Sequence, residues 1–228
     1  MQYPQQAAKS ATATIPIVFA FGGDPVQAGL VASLNRPGGN ITGVTFLSTE
    51  LTGKRLELLH QIVLTARTVG FLVNPTAAAV EISGVETAAR VLGVDLMTLK
   101  ASTPNEIDSA FAILVARRIG ALLVVGDPLF SAQSRQLAAL AARHAVPASY
   151  ADRDNVVAGG LMSYGENFSV AWHLAGTYAG QILKGERPAD LPVQQATKVG
   201  LVLNMKTAKA LGITIPPNLL AIADEVIE

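Results

Sequence analysis

Residues 103–150, TPNEIDSAFAILVARRIGALLVVGDPLFSAQSRQLAALAARHAVPASY, decide the fold class. Thr103, Pro104 and Glu106 are a cap, a first-turn proline and an early acid, the signature of a helix start, and the helix is predicted to run to about Arg118. Ala121 to Val125 is then a continuous apolar run too short for a helix, which reads as a strand buried on both faces. Ala132 to His144 is predicted as the next helix and Pro147 to Tyr150 as the next strand. Helices that take turns with buried strands require right-handed crossovers, hence a parallel sheet with helices on both faces.

The alternation extends in both directions. Upstream, Ile15 to Phe21 and Val69 to Val73 read as strands, Lys54 to Thr65 has apolar residues at helical spacing, Ala77 to Leu92 is a helix closed by Gly93, and Val94 to Leu99 is a strand. Downstream, Gly160 to Ser163 is a strand, Phe168 to Leu183 a long helix, Lys198 to Leu203 a strand and Met205 to Leu211 a short helix. Ile215 to Glu228 is a tail begun by prolines, with apolar residues at helical spacing. Two glycine-rich stretches, Arg36 to Asn40 and Gly159-Gly160, interrupt the order. The expected division is therefore a body of residues 46–165 flanked by a discontinuous one, residues 1–45 plus 166–228, with a cleft between them.

Composition bounds the function. The chain has 228 residues, 17 Lys+Arg against 17 Asp+Glu and no Cys. Charge balance without a basic block gives no footprint for nucleic acid, and the absence of cysteine excludes thiolate metal sites, disulfides and thiol nucleophiles. Met1 to Thr14 lacks the basic and apolar regions of a signal peptide, so no export signal is read in this chain. No phosphate-binding loop, dinucleotide fingerprint, nucleophile elbow or zinc-protease helix is present in the sequence. The three histidines, at 60, 144 and 173, fall inside predicted helices, away from strand ends. No catalytic residue, metal ligand or cofactor is assigned, and the expectation is a protein that is not an enzyme.

Ligands of open parallel sheets bind beyond the carboxyl ends of the strands. Those ends read Gly22-Gly23-Asp24-Pro25, Asn74-Pro75-Thr76, Gly126-Asp127-Pro128, Tyr150-Ala151-Asp152 and Ser163-Tyr164-Gly165-Glu166. Three of the five repeat an Asp or Asn followed by Pro. Helix capping alone accounts for each taken singly. If the caps converge, their oxygens and the helix-start amides suit a zwitterion, with ammonium on Asp and carboxylate on amides. Tyr150 and Tyr164, two of only four tyrosines, stand at strand ends, where core packing and a place on a cleft rim are both open readings.

Ile15 to Thr45, IPIVFAFGGDPVQAGLVASLNRPGGNITGVT, resembles the central signature of the TrpX-like substrate-binding proteins of ABC transporters. KRLELL at 54–59, Val73-Asn74-Pro75, Gly126-Asp127-Pro128 and NMKTAKALGITIPPNLLAIADEVIE at 204–228 are similar too, so the resemblance covers nearly the whole chain. It implies an α/β, two-lobed type I periplasmic-binding-protein architecture, with parallel sheets flanked by helices and the first lobe incomplete. It further implies binding of a small solute, an aromatic or other amino acid, without chemistry. The implied partner is an ABC permease in the membrane, and the implied location is periplasmic or extracytoplasmic. Carried onto this chain, the ligand-binding set is Asp24, Thr45, Asn74, Asp127, Tyr150 and Tyr164. Asp24 or Asp127 would take a ligand ammonium, the amides after Asn74 a carboxylate, and the tyrosines would stack on an apolar body. Family members carry β-α units ahead of the segment equivalent to Ile15, and a first lobe without them should have an exposed sheet edge. A homodimer through that edge, or disorder of residues 1–14, is the expectation. Hinges are expected near Gly43 to Thr49 and Gly165 to Asn167. A regulator's ligand-sensing domain is the alternative, and it would need a DNA-binding segment that the sequence does not show.

Overall fold

A computed structural model describes residues 4–46, 48–75, 82–166, 168–196 and 199–228. The chain divides into two compact units: Met1–Leu47 with Glu166–Lys198, and Ser48–Gly165 with Val199–Glu228.

Unit 1 holds the helix α1 (Pro4–Ala11) and a three-stranded sheet of β1 (Ile17–Phe21), β2 (Ile41–Phe46) and β8 (Gln194–Ala196), in the order β1-β2-β8. Both strand pairings are parallel, with Phe19 beside Gly43 and Thr45 beside Gln195. Phe19, Phe21, Leu30, Val31 and Ile41 form one small core, while Val44 and Phe46 pack with Ala171 of α8 (Phe168–Leu183) in another. Gly43 is obligatory because the chains approach so closely here: an added Cβ would overlap the carbonyl oxygen of Phe19.

Unit 2 is larger. It contains α2 (Ser48–Ile62), β3 (Thr68–Val73), α3 (Ile82–Leu92), β4 (Asp95–Lys100), α4 (Pro104–Ala116), β5 (Ala121–Val124), α5 (Pro128–Ala132), α6 (Ser134–Arg143), β6 (Ala148–Tyr150), α7 (Arg153–Val157) and most of β7 (Met162–Glu166). It also contains β9 (Val199–Asn204), α9 (Met205–Ala210), α10 (Pro217–Ile222) and β10 (Glu225–Ile227). Its seven strands lie in the order β10-β9-β7-β6-β5-β3-β4, and the registered neighbours are parallel. β5 is buried along its whole length, because helices cover both faces of a parallel sheet. Phe71, Leu72, Leu122 and Leu123 fill the middle of its core, with Phe111 and Leu114 of α4 packed against them. At the start of α4 the Thr103 hydroxyl accepts from Glu106 N, and the Glu106 carboxylate accepts from Ser102 N at 2.6 Å and Ser102 Oγ at 2.7 Å.

The sequence grouped 199–228 with the amino-terminal body, and the structure corrects this. β9 and β10 extend the unit 2 sheet, and Leu201 and Leu203 enter its core at 1% and 0% exposure. An apolar run specifies a strand but not which sheet it joins. The helix expected at 132–144 is α6, and a short helix not expected, α5, precedes it and meets it at Gln133. The tail carries a short strand as well as its helix.

Candidate functional site

The strand order of unit 2 contains one reversal of direction of winding. From β3 the chain goes to β4 on one side, then to β5, β6 and β7 on the other, so β3 and β5 are adjacent strands whose following segments diverge. Divergence opens a crevice at their carboxyl ends, the usual ligand position in such sheets. Asn74 directly follows β3, and Asp127 stands three residues beyond Val124, the last paired position of β5.

These two side chains meet. Asn74 Nδ2 donates to Asp127 Oδ1 at 3.2 Å, and the backbone N–H of Leu129 donates to the same oxygen at 2.8 Å. Asp127 is thus both the N-cap of α5, with Pro128 in the first turn, and the acceptor of a side-chain bond from the neighbouring strand end. Capping and convergence operate together. Both residues are buried, at 9% and 6% exposure, and among the described residues Asp127 Oδ2 has no hydrogen-bond partner. A carboxylate with one oxygen saturated and the other free is suited to a cation presented from the crevice. The amides after Asn74, expected to hold a carboxylate, fall on residues 76–81, outside the described residues.

Tyr164 lies in β7, half-buried, and packs against the unit 2 core. Tyr150 does not stand on a rim. It is wholly buried in that core, and its ring lies against Gly160. Burial pushes its phenol well above the ordinary tyrosine value. The strand-end position of Tyr150 is as expected, but its side chain turns into the layer beneath α7.

In unit 1, Asp24 is exposed, and its Oδ1 accepts from Val26 N at 2.8 Å and Gln27 N at 3.1 Å, bracing the turn that follows β1. Thr45 is buried and donates from Oγ1 to the carbonyls of Gly23 at 2.6 Å and Phe21 at 3.2 Å. Its hydroxyl shapes the Gly22-Gly23-Asp24 turn from behind.

Arg55 in α2 was not singled out by sequence reading. It is fully buried, with Nη2 donating to Thr52 Oγ1 at 2.5 Å. The signal was available: Thr52, Arg55, Leu59 and Ile62 share one helical stripe, so Arg55 interrupts a buried face. Among the described residues no group of three or more His, Cys, Asp or Glu is placed to hold a metal ion. No helix among them is long and apolar enough to cross a membrane.

Residues 3–227 match the family described as ABC transporter substrate binding protein. The chain belongs to that family. A tyrosine-binding protein from Clostridioides difficile (strain R20291) is 30% identical over 209 residues, which are 90% of this chain and 59% of that protein. The chain thus spans under two thirds of this curated relative. An ABC domain from Streptococcus pneumonia, solved in complex with L-Trp, is 29% identical with a TM-score of 0.84, covering 98% of this chain and 75% of that one. A ligand-free, open substrate-binding protein with adhesive properties from Clostridium difficile is 30% identical with a TM-score of 0.62, over 98% of this chain and 75% of its own. The fold is that of the type I periplasmic binding proteins.

Proposed function

We propose that this member of the substrate-binding family captures an amino acid with an aromatic or apolar side chain for an ABC importer and releases it unaltered. The Asn74–Asp127 pair at the β3/β5 crevice supports this most directly. Asp127 Oδ2 receives the ammonium, and Asn74, by holding Oδ1, fixes the plane of the carboxylate. Tyr164 offers its half-buried ring to the ligand's apolar body. In unit 1, Thr45 braces the turn that carries Asp24. Tyr150 has no ligand role in this proposal. The relatives described as tyrosine-binding and as an L-Trp complex support the ligand class. The protein works outside the cytoplasm, and its partner is a membrane permease.

Calorimetric titration of the chain with L-Trp, L-Tyr, L-Phe and the corresponding des-amino acids tests the reading. Saturable binding of at least one amino acid near ~1 μM, about 8 kcal/mol, is expected, with the des-amino compounds weaker by tenfold or more. No binding of any, or equal binding with and without the amino group, would overturn it.

A further inference from the structure

Gly126 is a glycine that the backbone of unit 2 does not ask for. It is half-buried and stands between the end of β5 and Asp127, where Val125 N still donates to Leu72 O of β3 at 3.0 Å and Asp127 already caps α5. Glycine loses more backbone freedom on folding than alanine does. Beside a strand it therefore serves a left-handed φ, a close approach of another chain segment, or a ligand that comes up to the backbone.

Neither of the first two applies. Gly126 does not have the positive φ of Gly93 or Gly159. A Cβ added to it would meet one atom among the described residues, the Cβ of Ala151 at 3.3 Å, and no backbone. Gly160 and Gly165 differ in this respect: an added Cβ would overlap the carbonyl oxygen of Asn155 at the one and of Ala151 at the other, so packing alone accounts for both.

The third reason has a chemical counterpart in the next residue. Asp127 is buried, its Oδ1 is taken by Asn74 Nδ2 and Leu129 N, and its Oδ2 has no partner among the described residues. A buried carboxylate oxygen without a donor is costly, and a bound ammonium removes that cost. Successive Cα atoms are ~3.8 Å apart, so a small molecule that places an ammonium on Oδ2 has its remaining atoms within reach of Gly126. We propose that Gly126, with the small Ala151 beside it, sets the size of the amino acid that the β3/β5 crevice accepts. The bare backbone at 126 is the surface on which the ligand's apolar body lies, and a side chain there would take the room of a ring. The assignment rests on the amino-acid reading given above and adds to it the residue that decides which amino acids enter.

Calorimetric titration of the wild type, Gly126→Ala and Gly126→Val with L-Trp, L-Phe, L-Leu and L-Ala tests this, with melting temperatures taken in the absence of ligand. Gly126→Ala should weaken the ring-bearing ligands by about tenfold or more and Gly126→Val should weaken them further, the usual size of effect for one or more methylenes in an apolar site. Affinity for L-Leu or L-Ala, where the wild type has any, should fall by less than about threefold or rise. The melting temperature of Gly126→Ala should stay close to that of the wild type, because φ is ordinary and the Ala151 methyl need yield only a few tenths of an ångström. Undiminished binding of L-Trp and L-Phe in both variants would overturn the assignment and leave the amino-acid reading standing. So would an equal loss for every ligand whatever its size, or a large drop in the melting temperature of Gly126→Ala, which would make Gly126 a packing residue. A wild-type protein that binds none of the four would overturn that reading and this assignment together.

Discussion

The ring of Tyr150 rests on Gly160 so closely that a Cβ at position 160 would stand 2.6 Å from Cε2 of the ring and 2.7 Å from the carbonyl oxygen of Asn155. Neither neighbour can retreat: the ring is enclosed in the core, and Asn155 O accepts from Gly160 N at 2.8 Å. Gly160→Ala should therefore destabilise unit 2 by about 1–3 kcal/mol, read as a lowered midpoint in urea. Tyr150→Phe should do the reverse. The Tyr150 hydroxyl is buried with no hydrogen-bond partner among the described residues, so its removal should leave stability equal or raise it by up to about 1 kcal/mol. Ligand affinity should be unchanged in Tyr150→Phe; a tenfold loss of affinity would return Tyr150 to the binding site.

Asp127→Asn separates the two tasks of that residue. Asparagine caps a helix about as well as aspartate, so the bond from Leu129 N survives and the melting temperature should move little. An ammonium ligand loses its charge-assisted bond, and affinity should fall about 10- to 150-fold. Asn74→Ala should cost less, because it frees the carboxylate to rotate without removing its charge. Titration calorimetry on the three proteins checks the order, and a larger effect from Asn74→Ala than from Asp127→Asn would contradict the assignment of roles.

Two of the tyrosines should resist ionisation. Desolvation raises the phenol of Tyr150, and it raises that of Tyr178, which donates to the carbonyl of Pro192. A phenol whose folded value lies above its unfolded one keeps its contribution to stability at neutral pH, and loses it as pH rises past the ordinary tyrosine value of 10.0. Absorbance at the phenolate band should show Tyr150 titrating only together with loss of the native circular dichroism. Ionisation of all four tyrosines in the still-folded protein would count against its burial.

At acid pH the relevant contact is between α7 and the last strand. Arg153 Nε and Nη2 donate to the two carboxylate oxygens of Glu225, both at 2.6 Å, and these bonds hold the Glu225 carboxyl below its ordinary value. The contribution is complete above that ordinary value and drains away as pH falls through the lowered one. Because both side chains are substantially exposed, it amounts to about 1 kcal/mol or less. Glu225→Gln should flatten the acid limb of the stability profile below pH ~5 and leave the neutral plateau within about 1 kcal/mol, as followed by denaturant titration across pH.

Much of this was legible because the governing interactions are local. Thr103-Pro104-Asn105-Glu106 opens α4 as its chemistry requires, and Phe168 to Leu183 is helical over the range its spacing predicts. Asp127-Pro128 caps a helix and also reaches Asn74, so the repeated dipeptide carried a true signal about a shared crevice. Asp24-Pro25 heads a turn rather than a helix, although the hydrogen bonds from the two following amides are the same in kind. What stayed hidden depends on partners distant in sequence. The sheet that Val199 to Asn204 joins is decided by a strand end some forty residues away, where Asn204 N donates to Leu161 O at 2.9 Å. The direction taken by the Tyr150 side chain is decided by the absence of a side chain at Gly160.

The seven-stranded sheet closes with β10, at residues 225–227, and the Arg153–Glu225 contact joins that strand to α7. During synthesis, then, unit 2 is without two of its strands until residues 199–227 have been made, and the flank of β7 stays open for that time. Premature termination anywhere before β9 would produce a polypeptide with a bare, apolar sheet margin, a substrate for chaperones and proteases.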